Sequence, residues 1–284
     1  MRPSHPQRRP LWYEKKGDMM VRFRLHSLYD HFPERNPVEG EPFIDCYNDS
    51  FVLKVSPGET AVALLLEPRS LVPDAYEFCE EHPDLFKIIF THDSRLLRLP
   101  NARLFLWADV WPDTYPAEKT KGISIVSSWK NWCPLHDARM KLTRLYENDP
   151  RVDTFGSWKD GKSWDTVKDY LSPYKFSIVI ENDWDFYWYT EKILNCFATK
   201  TVPIYLGGGR VKELYNPKGI IYVTNWHDIP GIINGLNTDK MYEAMLPAVE
   251  DNFQRVEPLR GITWKDKFWN EYEGLLQEVQ DGKM

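Results

Sequence analysis

No run in this sequence approaches the ~18 consecutive apolar residues that a membrane-spanning helix requires. The opening residues Met1, Arg2, Pro3, Ser4, His5 and Pro6 carry positive charge with no apolar stretch behind them, so no secretory signal is expected. Cysteine is sparse. Cys46, Cys79, Cys133 and Cys196 are scattered, with no C-x-x-C and no histidine at metal-binding spacing. That pattern excludes a disulfide framework or a zinc finger and suits reduced thiols in a cytoplasmic chain. A basic surplus is also missing: Lys plus Arg is 36 against 42 for Asp plus Glu, a formal charge of −6. General binding to nucleic-acid phosphates is therefore not expected. No G-x-G-x-x-G follows the first strand of either half, which argues against a dinucleotide redox cofactor. Low-complexity tracts and short repeats are absent too.

What remains is a globular composition, 42% hydrophobic and 27% charged over 284 residues, enough for one large or two modest domains. Aromatic residues reach 14%, including 12 Trp. Such a load fits either a Trp-rich core or flat surfaces on which sugars or bases stack. Residues 1–24 mix proline with Arg2, Arg8, Arg9, Lys15, Lys16, Arg22 and Arg24, and read as a mobile basic segment.

Beyond it the chain alternates. Short apolar runs at 61–66, 86–90 and 103–107, with a helix over 73–81, form a first series. Runs at 122–127, 151–156, 175–180, 201–206 and 219–223, with helices over 135–147 and 191–197, form a second. Strands alternating with helices imply parallel sheets covered on both faces, here as two Rossmann-like α/β halves facing a cleft. A polar hinge at 117–121 divides them, giving expected domains at 25–118 and 119–262. Residues 263–284, with Trp264, Phe268, Trp269, Tyr272 and Leu276, form an amphipathic closing helix.

In such sheets ligands bind beyond the carboxyl ends of the strands. After the 175–180 run come Glu181 and Asn182, an aromatic loop with Trp188 and Tyr189, and then Thr190, Glu191 and Lys192. Thr190 is placed to cap a helix N-terminus, where free N–H groups favour an anion. Lys192 in that first turn adds a full charge where a diphosphate would sit; the alternative is a solvated lysine. Glu181 and Glu191 could bond sugar hydroxyls, or Glu191 could simply complement the helix dipole. Glu67, leaving the most apolar strand of the first half, suits a general base whose proton affinity desolvation raises, or a surface residue before Pro68. His92 and Asp93 end another strand, where structural hydrogen bonds are the simpler role. Asp183 and Asp185 have the spacing of a metal-binding pair, though such carboxylates ahead of a helix are more often solvated; no metal is assigned. The run 207–209 (GGG) is either a close approach to ligand or a plain loop.

Glu181-Asn182 followed by Thr190-Glu191-Lys192 and by TVPIYLG at 201–207 resembles the signature of the α-1,3-fucosyltransferases, family 10 of the glycosyltransferases. Val126-Ser127, Arg139 and RVDTFG at 151–156 are similar to a second motif of that family. The likeness is clear over 122–223 and faint before it, where the Leu66-Glu67-Pro68 corner resembles the family's G-E-N in position. It implies a GT-B fold, with 25–118 on the acceptor side and 119–262 binding the nucleotide sugar. It also implies an inverting transfer, most simply of L-fucose from GDP-fucose to an oligosaccharide or glycoprotein acceptor, without a metal. By carry-over Arg139 and Lys192 would neutralise the departing diphosphate, and Glu67 would take the acceptor proton. Glu181, Asn182, Trp188, Tyr189, Thr190 and Glu191 would surround the donor. The chain departs from the pattern at Ile180, Asp183, Trp188 and Lys200, where the family has Phe, Ser or Thr, Tyr and Gly. The 201–204 strand is similar to the exostosin-type transferases as well, so another donor such as UDP-xylose is the alternative. A non-catalytic sugar-binding protein, stacking saccharides on Trp107, Trp111, Trp129 and Trp132, is a further one.

Overall fold

The structure, a computed structural model, describes residues 21–28, 38–111, 114–161 and 165–284. Two parallel five-stranded sheets organise them. The first holds β1 (Phe23–His26), β2 (Ile44–Asn48), β3 (Ala61–Leu64), β4 (Ile88–Thr91) and β5 (Ala102–Leu104), adjacent in that order. The second holds β6 (Lys121–Val126), β7 (Val152–Phe155), β8 (Tyr174–Ile180), β9 (Val202–Leu206) and β10 (Ile221–Tyr222), ordered β10-β9-β8-β6-β7. In this second sheet the chain moves outward from β6 to β7 and then returns to the other side of β6 with β8. The reversal between β6 and β8 is a topological switch point, where crossover connections diverge and leave a crevice.

The helices are α1 (Pro73–Glu81), α2 (Pro134–Tyr146), α3 (Val167–Tyr170), α4 (Glu191–Ala198), α5 (Val211–Leu214), α6 (Ile229–Gly235), α7 (Thr238–Val256) and α8 (Trp264–Gln280). Central strands such as β3 and β9 are buried throughout, as continuous apolar runs between two helical layers must be. α1 covers one face of the first sheet through Ala75, Tyr76 and Cys79. α8 covers the other: Phe268, Tyr272, Leu276 and Val279 pack with Phe23, Ile44, Val62 and Phe90, so the C-terminal helix belongs to the first lobe's core. No helix among the described residues is long and apolar enough to cross a membrane.

The basic residues Arg2, Arg8, Arg9, Lys15 and Lys16 lie outside the described residues. Phe23 and Arg24, expected in the same segment, instead form β1, paired in parallel with Ile44 and Asp45. Arg24 bonds the buried Asp45 carboxylate at 2.7 Å, and His26 approaches the same carboxylate at 2.9 Å. The charge that suggests a solvated tail is thus the partner of a buried strand residue. At the hinge, Lys119 is fastened to the second lobe, donating to the Ser172 carbonyl at 2.8 Å and to Thr201 Oγ1 at 2.9 Å.

Lys200 explains one departure from the family pattern. It ends α4 with φ +58°, the left-handed conformation that favours glycine. The N–H of Thr201 bonds the Cys196 carbonyl (2.8 Å) and that of Lys200 bonds Phe197 (3.0 Å), the paired closure of a Schellman motif. The side chain is held by Glu250 at 2.6 Å and lies over the Phe253 ring. A half-exposed ion pair of this kind contributes under about 1 kcal/mol, whereas a left-handed non-glycine residue costs roughly 1–2 kcal/mol. Lys200→Gly is therefore expected to raise stability slightly, by about 0.5–1 kcal/mol, read as an increase in the urea midpoint without a change in m.

Candidate active site

The switch point between β6 and β8 opens into a cavity of about 410 Å3. Its wall includes Val126, Ser127 and Ser128 from the end of β6, Ile178, Val179 and Ile180 from β8, Gly156 and Asp165 from the loops beyond β7, and Trp111 and Trp129. Its charged floor is made of Arg139, Glu191 and Lys192. A pocket of this size, apolar with a few convergent charges, is the form of a small-ligand site.

Arg139 projects from α2 and is only 8% exposed. Its Nε donates to the Ile180 carbonyl at 3.0 Å, with Nη2 on the same oxygen, and Nη2 also donates to Asn182 Oδ1 at 3.0 Å. Nη1 has no protein partner among the described residues. Burial lowers the Arg139 affinity for its proton and nearby Glu181 opposes that, but a guanidinium stays charged under any ordinary condition. A fixed, half-satisfied cation on a cavity wall is ready for an anion.

Lys192 stands beside it at the first turn of α4. Thr190 caps this helix and accepts from the Lys192 N–H at 3.4 Å; its own N–H and hydroxyl donate to Glu181 at 3.0 and 2.8 Å. Lys192 Nζ lies 3.0 Å from Thr190 Oγ1, 3.3 Å from Glu191 and 3.5 Å from Glu181. Burial works against its charge, but Glu191 and Glu181 outweigh it and hold Lys192 above its ordinary value. The side chain is 28% exposed, so it remains reachable.

Glu67 comes from the other lobe, at the corner after β3. It is open to solvent, yet protein crowds it enough to push its carboxyl above the ordinary range, against the pull of Lys192 and Lys130. Those two lysines and Glu191 act on it from across the cleft. Its backbone is clamped at both ends: the N–H groups of Leu66 and Glu67 donate to Asp49 Oδ1 at 2.8 and 3.0 Å, and the Tyr76 hydroxyl donates to the Glu67 carbonyl at 2.6 Å. Asp49, half-buried and at φ +47°, has its own pKa pushed up to about 7 by desolvation. This clamp was not foreseen from sequence. A lone aspartate after a strand carries no pattern that marks it.

The structure therefore brings Arg139, Glu191 and Lys192 together on one cavity, with Glu67 within electrostatic reach of Lys192 and Glu191, and places the other candidates behind them. Glu181 is fully buried and occupied by Thr190 and Lys192, so it aims the helix start and does not face the cavity. Asn182 accepts from Arg139 and from His136 at 2.9 Å. Because the Trp132 N–H donates to His136 Nδ1 at 3.3 Å, the proton of this ring lies on Nε2. Burial, reinforced by Arg139, lowers the His136 pKa to about 4, so it is neutral. Tyr189 turns its ring onto Tyr215, outside the cavity wall.

Trp188 corrects its expected donor contact. It is 1% exposed, wedged between the lobes against His92 (ring centroids 4.4 Å) and Trp107 (6.2 Å), because an indole of that size fills the seam between them. Trp107 is partly buried, packed against the first lobe's core. His92 is buried neutral, its pKa lowered to about 3 by desolvation, and Asp93 binds Arg69 at 2.7 Å. Both are structural. Asp183 and Asp185 also join the lobes: Asp183 accepts from the Ser70 N–H at 3.1 Å, and Asp185 from the Ser94 hydroxyl at 2.6 Å. Gly208 approaches so closely that a Cβ there would lie 2.3 Å from the Trp188 carbonyl oxygen, which assigns the glycine run to packing.

With this geometry in view, residues 116–244 match the family model for glycosyltransferase family 10 (fucosyltransferase), C-terminal part. The second lobe is thus similar to the C-terminal part of the family 10 glycosyltransferases. Over 104 residues, 36% of this chain, the sequence is 35% identical to the Alpha-(1,3)-fucosyltransferase FucT of Helicobacter pylori, and that match spans 20% of the bacterial protein. Across both lobes the fold is similar to a crystal structure of an α1,3-fucosyltransferase with GDP, at TM-score 0.57 and 15% identity, covering 93% of this chain and 91% of that one. It is also similar to an α,α-trehalose 6-phosphate synthase from Burkholderia multivorans, at TM-score 0.50 and 13% identity, covering 86% and 73%. The two-lobed architecture is that of the GT-B glycosyltransferases. Within the matched residues 116–244 lie β6 to β10 and the cationic wall of the cavity; Glu67 is supplied from outside them.

Proposed function

We propose that this chain is an inverting glycosyltransferase that moves a sugar, L-fucose from GDP-fucose first among candidates, to a hydroxyl of a glycan acceptor without a metal. The observation that carries the reading is the pairing of Arg139 and Lys192 on the switch-point cavity, opposite Glu67 on the other lobe. In the reaction the acceptor oxygen attacks the anomeric carbon as the bond from that carbon to the phosphate oxygen breaks. The diphosphate leaves with the bonding pair, and Glu67 takes the hydroxyl proton. One displacement on the face opposite the leaving group inverts the anomeric centre. Arg139, Lys192 and the α4 N-terminus answer the charge that develops on the leaving group, and preorganised donors of this kind contribute roughly 2.7–4 kcal/mol each. Glu191, on the same wall, is placed for a ribose or sugar hydroxyl. The GDP in the similar fucosyltransferase structure favours a guanine nucleotide here. The carboxylates with metal-pair spacing, Asp183 and Asp185, already serve Ser70 and Ser94, which supports a metal-free reaction.

Melting curves with GDP, UDP and CMP test this. GDP at about a hundredfold over its Kd should add about 2.7 kcal/mol, a rise of roughly 5 °C for a chain of this size, with little response to UDP or CMP. A shift with UDP alone would move the donor to a uridine sugar. No shift with any nucleotide would remove the transferase reading.

A further inference from the structure

The loop between β6 and α2 carries two large indoles that the core does not use. Trp129 is 51% exposed and Trp132 60% exposed, and their rings meet edge to face at 6.1 Å. Lys130, between them, lies 4.8 Å over the Trp132 ring. An exposed pair of this size on a soluble domain marks a contact surface, and its position says which one. Trp129 and Lys130 line the donor cavity. Lys130 also acts electrostatically on Glu67. Trp132 packs by His136, which bonds Asn182, whose carbonyl accepts from the Ser70 hydroxyl at 2.9 Å three residues beyond Glu67. The indoles thus stand at the mouth of the cavity, on the side where Glu67 would meet a hydroxyl.

We infer that Trp129 and Trp132 seat the acceptor, each offering an indole face to the C–H face of a pyranose ring. The inference rests on the transferase reading and locates the acceptor on the second lobe, not only on first-lobe loops. The chemistry suits the task. A sugar has an apolar face and a hydroxylated rim, so a rigid aromatic wall binds it with little conformational cost and leaves one hydroxyl free to turn toward Glu67.

Saturation-transfer NMR with lactose and N-acetyllactosamine as probes, on GDP-saturated protein, tests the platform in the wild type, Trp132→Ala and Trp132→Phe. Both variants alter an exposed side chain and should melt like the wild type and keep the GDP shift. We expect wild-type signals confined to the protons of one sugar face, a roughly tenfold or greater weakening of disaccharide affinity in Trp132→Ala, and most of it restored in Trp132→Phe. Equal disaccharide affinity in Trp132→Ala, or no disaccharide signal from wild type that binds GDP, overturns the platform and leaves the transferase reading standing. Wild type that fails to respond to GDP removes both.

Discussion

Glu67→Gln should lower turnover by at least a hundredfold while GDP raises the melting temperature as much as in the wild type. General-base assistance is worth about 10²–10⁴ in rate, and the amide keeps the shape of the side chain while losing its capacity to accept a proton. The pH profile separates this from a structural defect. The base works only when ionised, so the wild-type rate falls as pH drops through the Glu67 pKa. Crowding at the cleft raises that pKa, with Lys192 and Lys130 pulling it back. The acid limb therefore lies above the ordinary carboxylate range, and it should vanish in Glu67→Gln. The clamp formed by Asp49 and Tyr76 holds the backbone through this substitution, since it grips only main-chain atoms of Leu66 and Glu67. A variant retaining near-wild-type turnover, or retaining the acid limb, would place the base elsewhere.

The parts of the fold that could be read from sequence are those in which burial is mostly apolar. β3, β4, β8 and β9 are runs dominated by apolar residues, and all four are buried along their length or nearly so. β1 and β2 escaped because their burial is polar. Asp45 is 4% exposed inside β2 yet paired with Arg24 and His26, so the pattern looks like loop chemistry. α7 escaped for another reason: Pro247 interrupts it, and its buried positions Tyr242, Ala248, Val249, Asn252 and Val256 mix polar with apolar residues. Proline and a buried asparagine are ordinarily signs of a helix end. Here the Asn252 side chain instead satisfies the backbone of Asn216, bonding its N–H at 2.6 Å and its carbonyl at 3.0 Å.

The site divides along the same line. Glu191 and Lys192 were legible because local geometry, a strand end followed by a capped helix, dictates where each points, whereas Arg139, in the middle of α2, was marked only by the family resemblance. Trp188 was not. Its neighbours His92 and Trp107 come from distant segments of the other lobe, and only the closed seam shows that the indole belongs there. Asp183 and Asp185 illustrate the limit of spacing as evidence. A pair of carboxylates two residues apart fits a metal and fits a latch, and the backbone and hydroxyl donors of Ser70 and Ser94 decide for the latch.

Lys192→Ala should weaken GDP binding and lower turnover by about 10²–10³, the effect of removing one preorganised charge from a departing oxyanion. The loss should be much smaller for GMP, because a single phosphate can still be met by Arg139 and the α4 N-terminus. Folding needs separate control. The variant leaves the buried Glu181 carboxylate without its cation, although Thr190 still donates to both of its oxygens. Without Lys192 the Glu181 pKa in the folded state must rise further above its unfolded value. A group shifted upward contributes stability below its unfolded pKa and loses it as pH climbs through the folded pKa. The variant should therefore be nearest to wild-type stability in mildly acidic buffer and deteriorate toward alkaline pH, while its GDP defect persists at both ends. Lys192→Arg, which restores the charge with a longer reach, should recover stability across the range and part of the affinity. If Lys192→Ala binds GDP as tightly as wild type at the pH where both are fully folded, the diphosphate does not lie against α4, and the cavity must hold its ligand the other way round.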